Sequence, residues 1–296
     1  PMAWGALSVD MICFCIIKKY LIIANYNVGI LIYGFKQDSY SRRGGVAHPL
    51  FNFLSEDAND IVFSTSRKRE YLNDKTLYFD LKNTKIDIEL SYFTHIVICA
   101  AITNLQECHD DQKVCKLVNV TNTIRLIDHA LENHCFVIFL SSNLVFNGKK
   151  PFYQYNDKPN PNTFYGKLKL DVENHIRDIK SDCVAVLRMT KVMTNPVAFI
   201  EKWKEESRAG IDIIVFTNRM LAPIHINIAV KVIYLLINKK KSGIFHLSGN
   251  VEISYYEYAN KLFENDNGSL RLLKPCLDPA HFDCISYNSL ENHLPD

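Results

Sequence analysis

The sequence lacks a strong net charge, a paired cysteine motif, internal repeats and low-complexity segments. Its formal net charge is only +2, which gives no reason to expect nucleic acid or an anionic membrane as a partner. The nine cysteines are odd in number and contain no CxxC pair, so we expect neither a disulfide framework nor a metal site. This cysteine usage fits a reducing cytoplasm. With 296 residues, of which 48% are hydrophobic and 22% charged, the chain can bury the large core of a globular protein.

Residues 1–27 are the hardest part of the sequence to interpret. The stretch is apolar, but Lys18 and Lys19 divide it into runs too short to span a bilayer, and it has no clear signal-peptide cleavage site. We interpret it as an N-terminal extension that adds a strand or a helix to the domain. A membrane-associating anchor is the alternative.

From residue 28 onward, strand-like and helix-like segments alternate. Apolar strands are predicted at 28–35, 60–67, 76–81, 95–101, 135–142 and 183–190, and helices at 46–54, 110–132 and 163–176. Continuous apolar strands separated by helices indicate a parallel sheet that is covered on both faces. We therefore predict an α/β fold with a doubly wound, Rossmann-like domain over 28–190, whose ligand lies beyond the carboxyl ends of the strands.

Beyond residue 190 the pattern changes. Helices are predicted at 196–208, 226–238 and 254–263, and strands at 211–218 and 243–249. These elements predict a smaller α/β substrate lobe over 191–296, with a cleft between it and the carboxyl edge of the sheet.

The segment TFYGKLKLDVENHI, residues 163–176, combines an amphipathic helix with two reactive side chains. Its apolar residues recur every four positions, and Tyr165 and Lys169 share a face beside that stripe. A neighbouring ammonium lowers the pKa of a phenol from its usual value of about 10. Ser142 ends the preceding strand, where its hydroxyl can face the start of the helix and hydrogen-bond a carbonyl oxygen. The three side chains suit proton transfer to a reacting carbonyl.

The stretch FLSSNLVFNGKKPFYQYNDKPNPNTFYGKLKLDVE resembles the extended branch of the short-chain dehydrogenase/reductase superfamily, specifically the dTDP-4-dehydrorhamnose reductase family. The segments VICAAITNLQECHDD, VLRMTKV and GIFHLSGN carry further likeness, which covers roughly 28–264. The resemblance implies that Ser142, Tyr165 and Lys169 are the catalytic residues and that Lys169 also holds the nicotinamide ribose. It implies reduction of the C4 carbonyl of a nucleotide-activated 4-keto-6-deoxy sugar, with Tyr165 as the proton donor.

The family's glycine-rich phosphate loop is altered in this sequence, which reads YGFKQDSYSRRGGVAHPLF. Gly34 can stand for the first glycine, whereas Gly44 and Gly45 follow an apparent insertion of polar residues. We expect the loop still to cradle phosphate through its backbone. The alternative is that dinucleotide binding is damaged.

The end of the second predicted strand favours NADP(H) over NAD(H). Ser66, Arg67 and Lys68 are followed by no carboxylate until Glu70, and a basic cluster at this place suits the 2′-phosphate of NADP. The resemblance adds three further cofactor-binding residues, which are Asp80, Ala100 and Ala101.

The substrate side departs from the family pattern. Asn143 follows the catalytic serine where the family has aspartate, and Lys191 replaces a tryptophan. The predicted substrate-binding residues are Asn143, Thr190 and Arg219, of which Arg219 could contact the diphosphate of a sugar nucleotide. Asn119 matches an asparagine of the family but is interpreted as a helix surface residue. The exact sugar is not indicated.

Two alternative functions remain at this point. The regulatory β subunit of methionine adenosyltransferase belongs to the same extended family and has a similar Y-G-K-x-K-L-D-x-E segment, so the chain could be a non-catalytic NADP-binding partner protein. An epimerase or dehydratase of sugar nucleotides on the same fold is a second alternative. The predicted partners are a nucleotide-sugar substrate and either a second copy of the chain or a regulatory partner protein.

Overall fold

The computed structural model describes residues 28–33, 45–56, 60–83, 85–194, 197–278 and 287–295, and for 28–33 and 60 the backbone alone. Gly34 and Gly44 of the predicted phosphate loop lie outside these residues, as does the extension 1–27.

Strands make up the centre of the molecule. In the described ranges they are β1 (Val28–Tyr33), β2 (Asp60–Ser66), β3 (Thr76–Tyr78), β4 (His95–Ile98), β5 (Phe136–Ser142), β6 (Val184–Met189), β7 (Val192–Met193), β8 (Ile213–Phe216), β9 (Met220–Leu221), β10 (Ile224–His225), β11 (Gly243–Leu247), β12 (Ile253–Ser254) and β13 (Leu273–Cys276). Seven of them form one sheet in the order β11-β6-β5-β4-β1-β2-β3. Every neighbouring pair in this sheet is parallel.

Helices lie on both faces of this sheet and in a second, smaller core. They are α1 (Ala47–Ser55), α2 (Leu105–Asp110), α3 (Gln112–Lys116), α4 (Asn122–Glu132), α5 (Phe164–Ile179), α6 (Ala198–Arg208), α7 (Ile226–Lys239), α8 (Tyr255–Leu262) and α9 (Asn267–Leu272). In the ranges that the structure describes, none is long and apolar enough to cross a membrane.

The core explains why the strands read as continuous apolar runs. Along β5, Val137 and Phe139 pack on one face with residues of α2 to α5, whereas Ile138 and Leu140 pack on the other with residues of α1 and α7. A strand buried on both faces carries apolar side chains at successive positions. The doubly wound α/β fold is thereby confirmed.

The helix predicted over 110–132 is confirmed with one irregularity, since the chain is helical without a break from Gln112 to Glu132. The chain forms α2, α3, a π-helical turn at Leu117–Thr121 and then α4. The side chain of Asp111 accepts a hydrogen bond from the backbone N–H of Val114 and so caps a new helix start. Aspartate is a strong N-cap residue, and its side chain separates α3 from α2, which ends at Asp110.

The placement of two elements also differs from the prediction. The strand predicted at 243–249 is β11, which pairs with β6 at the edge of the main sheet, and α7 packs on the same sheet. A separate small core joins α6, α8, β8 and β13 around Trp203, Ile213 and Phe263. Periodicity identifies a strand but not its neighbour, so the sequence could not assign β11 to a sheet. The division into domains at residue 190 stays a prediction.

Candidate active site

The start of α5 packs directly on the backbone that follows Ser142. A Cβ atom added at Gly166 would lie 2.0 Å from the carbonyl oxygen of Leu144, so no side chain fits there. The hydroxyl of Thr163 accepts a hydrogen bond from the N–H of Gly166 at 3.0 Å and begins the helix at this place. Tyr165, the residue before Gly166, and Ser142, two residues before Leu144, therefore lie on the same rim of the sheet.

Lys169 is fixed to the strand that carries Ser142. Its Nζ donates a hydrogen bond to the carbonyl oxygen of Leu140 at 2.8 Å and lies 5.8 Å from the ring centre of Tyr165. The side chain is only 3% exposed. Burial lowers the pKa of Lys169 to about 8, and the carboxylate of Glu173 opposes this shift.

Burial raises the pKa of Tyr165 well above its usual range, and the neighbouring Cys108 adds to this effect. The direction is opposite to the predicted one because desolvation of the buried phenolate is the largest effect on this pKa. Lys169 directs its hydrogen bond to Leu140 rather than to the phenol. A phenol with a high pKa stays protonated at neutral pH, which is the form that can donate a proton.

A buried ionic network lies beneath these side chains. Glu173, one helical turn after Lys169, pairs with Arg188 of β6 through contacts of 2.7, 3.1 and 3.2 Å and accepts a hydrogen bond from Ser141 at 2.5 Å. Glu173 and Arg188 are 4% and 2% exposed. Arg188 Nη1 also lies 3.2 Å from Nε2 of His246, whose pKa is lowered to about 3 by burial and by the Arg188 charge.

The network ties α5 to three neighbouring strands. Ser141, Arg188 and His246 occupy neighbouring positions on the adjacent strands β5, β6 and β11, so the three residues form one row across the sheet. Sequence reasoning noted Glu173 only as a motif match and missed the other three. An arginine inside the apolar strand VAVLRM was the available signal, since a buried charge needs a buried partner.

Asn143 contacts the carboxyl-terminal segment of the described chain, 287–295. Its Nδ2 donates to Oδ1 of Asn288 at 2.9 Å and to the carbonyl oxygen of Asn288 at 3.1 Å. Ser142 Oγ in turn donates to Asn143 Oδ1 at 3.3 Å. Asn143 thus lies beside the Ser142 hydroxyl, but its amide group is engaged by a residue that the sequence analysis did not select.

The other two predicted substrate residues make contacts within the protein. Thr190 is 5% exposed, and its hydroxyl donates to the carbonyl oxygen of Ala222 at 2.5 Å. Arg219 forms an ion pair with Asp278, with 2.6 Å between Nε and Oδ2. The Thr190 hydroxyl thus bonds within the protein, whereas the Arg219 side chain is 37% exposed. Their substrate roles stay predictions.

The predicted cofactor side is open and basic. Arg67 and Lys68 are exposed at the end of β2, and Lys68 Nζ lies 3.7 Å from Glu70. Ser66 is buried, and its hydroxyl accepts a hydrogen bond from the N–H of Lys68 at 3.1 Å. Asp80 is half-buried and caps the turn at Lys82. Gly45 is exposed just before α1, with no atom near its missing side chain.

The loop after β4 is held by a residue that was interpreted wrongly. Asn119 is 1% exposed rather than a surface residue, and its amide exchanges hydrogen bonds of 2.8 and 2.9 Å with the N–H and carbonyl of Ile102. It lies in the π-helical turn, an irregularity that is frequent at functional sites. Asn119 thereby fixes the loop that carries Ala100 and Ala101, both half-buried.

A cavity of about 470 Å³ lies beside the loop that follows β5. It is lined by Phe146, Asn147, Tyr153, Lys158, Pro159 and Asn160. None of these residues is a predicted site residue, so this cavity does not indicate where a nicotinamide ring would bind.

Known proteins share the sequence family and the fold of this chain. Residues 42–281 match the family model described as the RmlD substrate binding domain. The probable low-salt glycan biosynthesis reductase Agl14 of Haloferax volcanii is 25% identical over 261 residues, which cover 81% of this chain and 86% of that protein. The methionine adenosyltransferase 2 subunit beta of Xenopus laevis is 29% identical over 201 residues, 62% of this chain and 58% of the subunit. The chain thus spans less than two thirds of that subunit.

Solved structures share the fold. A dTDP-4-dehydrorhamnose reductase from Clostridium acetobutylicum has a TM-score of 0.74 at 20% identity, with 90% of each chain covered. The Bacillus anthracis dTDP-4-dehydrorhamnose reductase in complex with NADP has the same TM-score and coverage at 17% identity. The dTDP-glucose 4,6-dehydratase DesIV from Streptomyces venezuelae, solved with NAD, has a TM-score of 0.71 at 14% identity, with 90% of this chain and 88% of that chain covered. The predicted class, NAD(P)-dependent oxidoreductases of the short-chain dehydrogenase/reductase type, is confirmed as the class of these neighbours.

Proposed function

Because the chain belongs to the family described by the RmlD substrate binding domain, we propose that it is a reductase of a nucleotide-activated 4-keto-6-deoxy sugar. The observation that carries this proposal is the pair of contacts that brings the three catalytic candidates together. Gly166 packs on Leu144, and Lys169 donates to Leu140, so α5 is fixed against the strand end that carries Ser142.

In the proposed reaction, the exposed Arg67 and Lys68 would hold NADPH by its 2′-phosphate, and the cofactor would supply the hydride that C4 of the sugar gains. Tyr165, whose buried phenol is protonated at neutral pH, donates its proton to the oxygen that gains negative charge. Ser142 donates a hydrogen bond to the same oxygen and orients it toward Tyr165. Lys169 supplies a positive charge that favours the phenolate left behind.

The residues at the end of β2 support NADPH rather than NADH as the reductant. Arg67 and Lys68 are exposed side by side there. Their charges suit a 2′-phosphate, and in the part of this turn that precedes Glu70 no carboxylate is present to accept ribose hydroxyls.

A second candidate function is a regulatory subunit that binds NADP without turnover. The 29% identity to a methionine adenosyltransferase β subunit favours it. So does the engagement of Asn143, the residue after Ser142, by Asn288. The chain would then act on a partner protein rather than on a sugar.

Oxidation of NADPH with a dTDP-linked 4-keto-6-deoxy sugar, followed at 340 nm, tests the two functions. We expect turnover by the wild type and a loss of about 10²- to 10⁴-fold in kcat for Tyr165→Phe, because the proton donor is removed. Tyr234→Phe is the matched control, since Tyr234 packs on the opposite face of the sheet. NADPH binding without turnover on any such sugar nucleotide would favour the regulatory role.

A further inference from the structure

The segment 287–295 connects the candidate active site to the loop that carries Arg219. Asn288 makes this connection through hydrogen bonds on two sides. The Oδ1 and the carbonyl oxygen of Asn288 accept from Nδ2 of Asn143, and the Nδ2 of Asn288 donates to the carbonyl oxygen of Met220 at 2.7 Å. Asn143 follows the catalytic serine, and Met220 follows Arg219. Asn288 therefore bridges two regions that sequence analysis assigned separately to the substrate.

The backbone around Asn288 is held firmly on its other side. The carboxylate of Glu252 accepts hydrogen bonds from the N–H groups of Asn288 and Ser289, and from the Ser289 hydroxyl at 2.9 Å. The next residue, Leu290, donates its N–H to the Ser248 hydroxyl at 3.1 Å. The acceptors that Asn288 offers to Asn143 are thus fixed in place before any ligand arrives.

This fixed arrangement decides which end of the Asn143 amide faces Ser142. A carboxamide has a donor NH₂ and an acceptor oxygen, and the two differ by a half-turn. Both groups that Asn288 presents to Asn143 are acceptors, so Asn143 must direct Nδ2 toward Asn288 and Oδ1 toward Ser142. The Ser142 hydroxyl then donates to Oδ1 at 3.3 Å and accepts from the N–H of Leu144 at 3.2 Å.

We propose that Asn288 is a positioning residue that orients the hydroxyl of Ser142 through the amide of Asn143. The inference rests on the proposed function, in which Ser142 must act as a donor to the sugar oxygen. In the observed orientation the Ser142 proton is held by one long hydrogen bond, which a substrate oxygen can displace. If Asn143 were turned by a half-turn, its NH₂ group would face the serine oxygen and compete with Leu144 as a donor.

The chain offers a matched control in Asn292. Its side chain also makes three hydrogen bonds that anchor the same segment, two to the Ser248 backbone at 2.8 and 3.2 Å and one to Asn250 at 3.3 Å. None of these leads to Ser142. Asn292→Ala removes three side-chain hydrogen bonds and Asn288→Ala removes two, so the control disturbs the segment at least as much. Only Asn288→Ala removes the side-chain acceptor that faces Asn143.

Nuclear magnetic resonance tests the connection without any turnover. The backbone N–H of Leu144 reports on the Ser142 oxygen that it contacts, and the side-chain NH₂ of Asn143 reports on Asn288. We expect Asn288→Ala to shift both signals and Asn292→Ala to leave both in place. Asn288→Asp keeps the acceptor oxygen, so the Asn143 signal should stay close to its wild-type position. Unchanged Asn143 and Leu144 signals in Asn288→Ala would overturn the proposal.

Kinetics tests the consequence for the reaction. We expect Asn288→Ala to lower kcat about five- to tenfold with less than a twofold change in KM, because one oriented hydrogen bond in the transition state is lost. Asn288→Asp should recover most of kcat, and Asn292→Ala should keep it. Equal losses in Asn288→Ala and Asn292→Ala would reduce Asn288 to an anchor of the segment and overturn the proposal. If the wild type shows no turnover, the proposed function fails, while the nuclear magnetic resonance result still decides the connection.

Discussion

The start of α5, which carries the candidate catalytic residues, and the basic end of β2 lie at the same edge of the sheet but are built differently. Tyr165, Lys169 and Glu173 are between 3% and 8% exposed and are held by backbone contacts and a buried ion pair. Arg67 and Lys68 are exposed, and the pair between Lys68 and Glu70 is open to solvent. One region is fixed before a ligand arrives, and the other carries charge with little packing.

The difference indicates how each region contributes to function. A buried polar group that loses its partner destabilises the fold strongly. The side chains at the start of α5 are therefore held in one arrangement, and substitutions there should be destabilising. Exposed charges interact weakly through water, and they can be exchanged with little effect on folding. Substitutions at α5 should change stability and chemistry together, whereas substitutions at β2 should change ligand preference alone.

The largest expected effect on stability comes from Glu173→Gln. The change leaves the Arg188 guanidinium buried without its counter-charge, which costs about 3–5 kcal/mol of unfolding free energy. Urea denaturation measures this loss. Replacing both partners, as in Glu173→Gln with Arg188→Met, should recover a large part of it. A single variant as stable as the wild type would show that the pair is not buried as described.

The pH dependence of stability should reveal the buried Lys169. Its pKa is about 8 in the folded protein, against 10.5 for an unperturbed lysine. Between these values the unfolded chain binds more protons than the folded one, so stability rises as pH increases from 8 toward 10.5 and is lost as pH falls. The wild type should gain about 2–3 kcal/mol between pH 7 and 10 relative to Lys169→Met. Parallel pH profiles for the two proteins would contradict the burial of this ammonium.

Gly166→Ala should disturb the contact that brings α5 to Ser142. The new Cβ would lie 2.0 Å from the carbonyl oxygen of Leu144, so helix or strand must move, at a cost of about 1–3 kcal/mol. Thermal unfolding and NADPH oxidation would both register the change. Gly268→Ala is the control, because its Cβ would meet only a side-chain oxygen of Asp266 at 3.3 Å. Equal behaviour of the two variants would show that the close approach has no consequence.

The smallest effect on stability is expected at the basic end of β2. Arg67→Ser combined with Lys68→Ser should change the unfolding free energy by less than about 0.5 kcal/mol, because both side chains are exposed. The same variant should bind NADPH about tenfold more weakly and NADH nearly unchanged, since only NADPH has the 2′-phosphate. Fluorescence titration with both dinucleotides measures the difference. An equal loss for both would remove the argument for NADP(H) preference.

Many strands and helices were predictable because the spacing of apolar residues within each segment indicates its type. The strands at 136–142 and 184–189 and the helix at 164–179 lie within a few residues of their predicted positions. Strands and helices differ in the spacing of their apolar residues, and this spacing can be recognised within a short window of sequence. The helix predicted over 110–132 is present from Gln112, but its π-helical turn at Leu117–Thr121 does not follow from the apolar period.

The candidate site was predictable only in part. The stretch that resembles the reductase family contains Ser142, Tyr165 and Lys169, and this resemblance selected them, while their catalytic roles stay predictions. Asn288 is 145 residues from Asn143, and Arg188 lies in a strand whose other residues are apolar. No spacing rule connects such positions, because the contact exists only after the chain has folded.

The sequence by itself determined the alternation of strands and helices, the pairing of a phenol with an ammonium on one helix face, and the basic end of β2. Only the tertiary structure decided that β11 joins the main sheet, that Glu173 and Arg188 neutralise each other, and that Asn288 reaches the residue beside Ser142. The physical reason is the separation along the chain over which each effect acts. Periodicity and capping act over a few residues, whereas desolvation and long-range hydrogen bonds depend on which distant groups the packed core brings together.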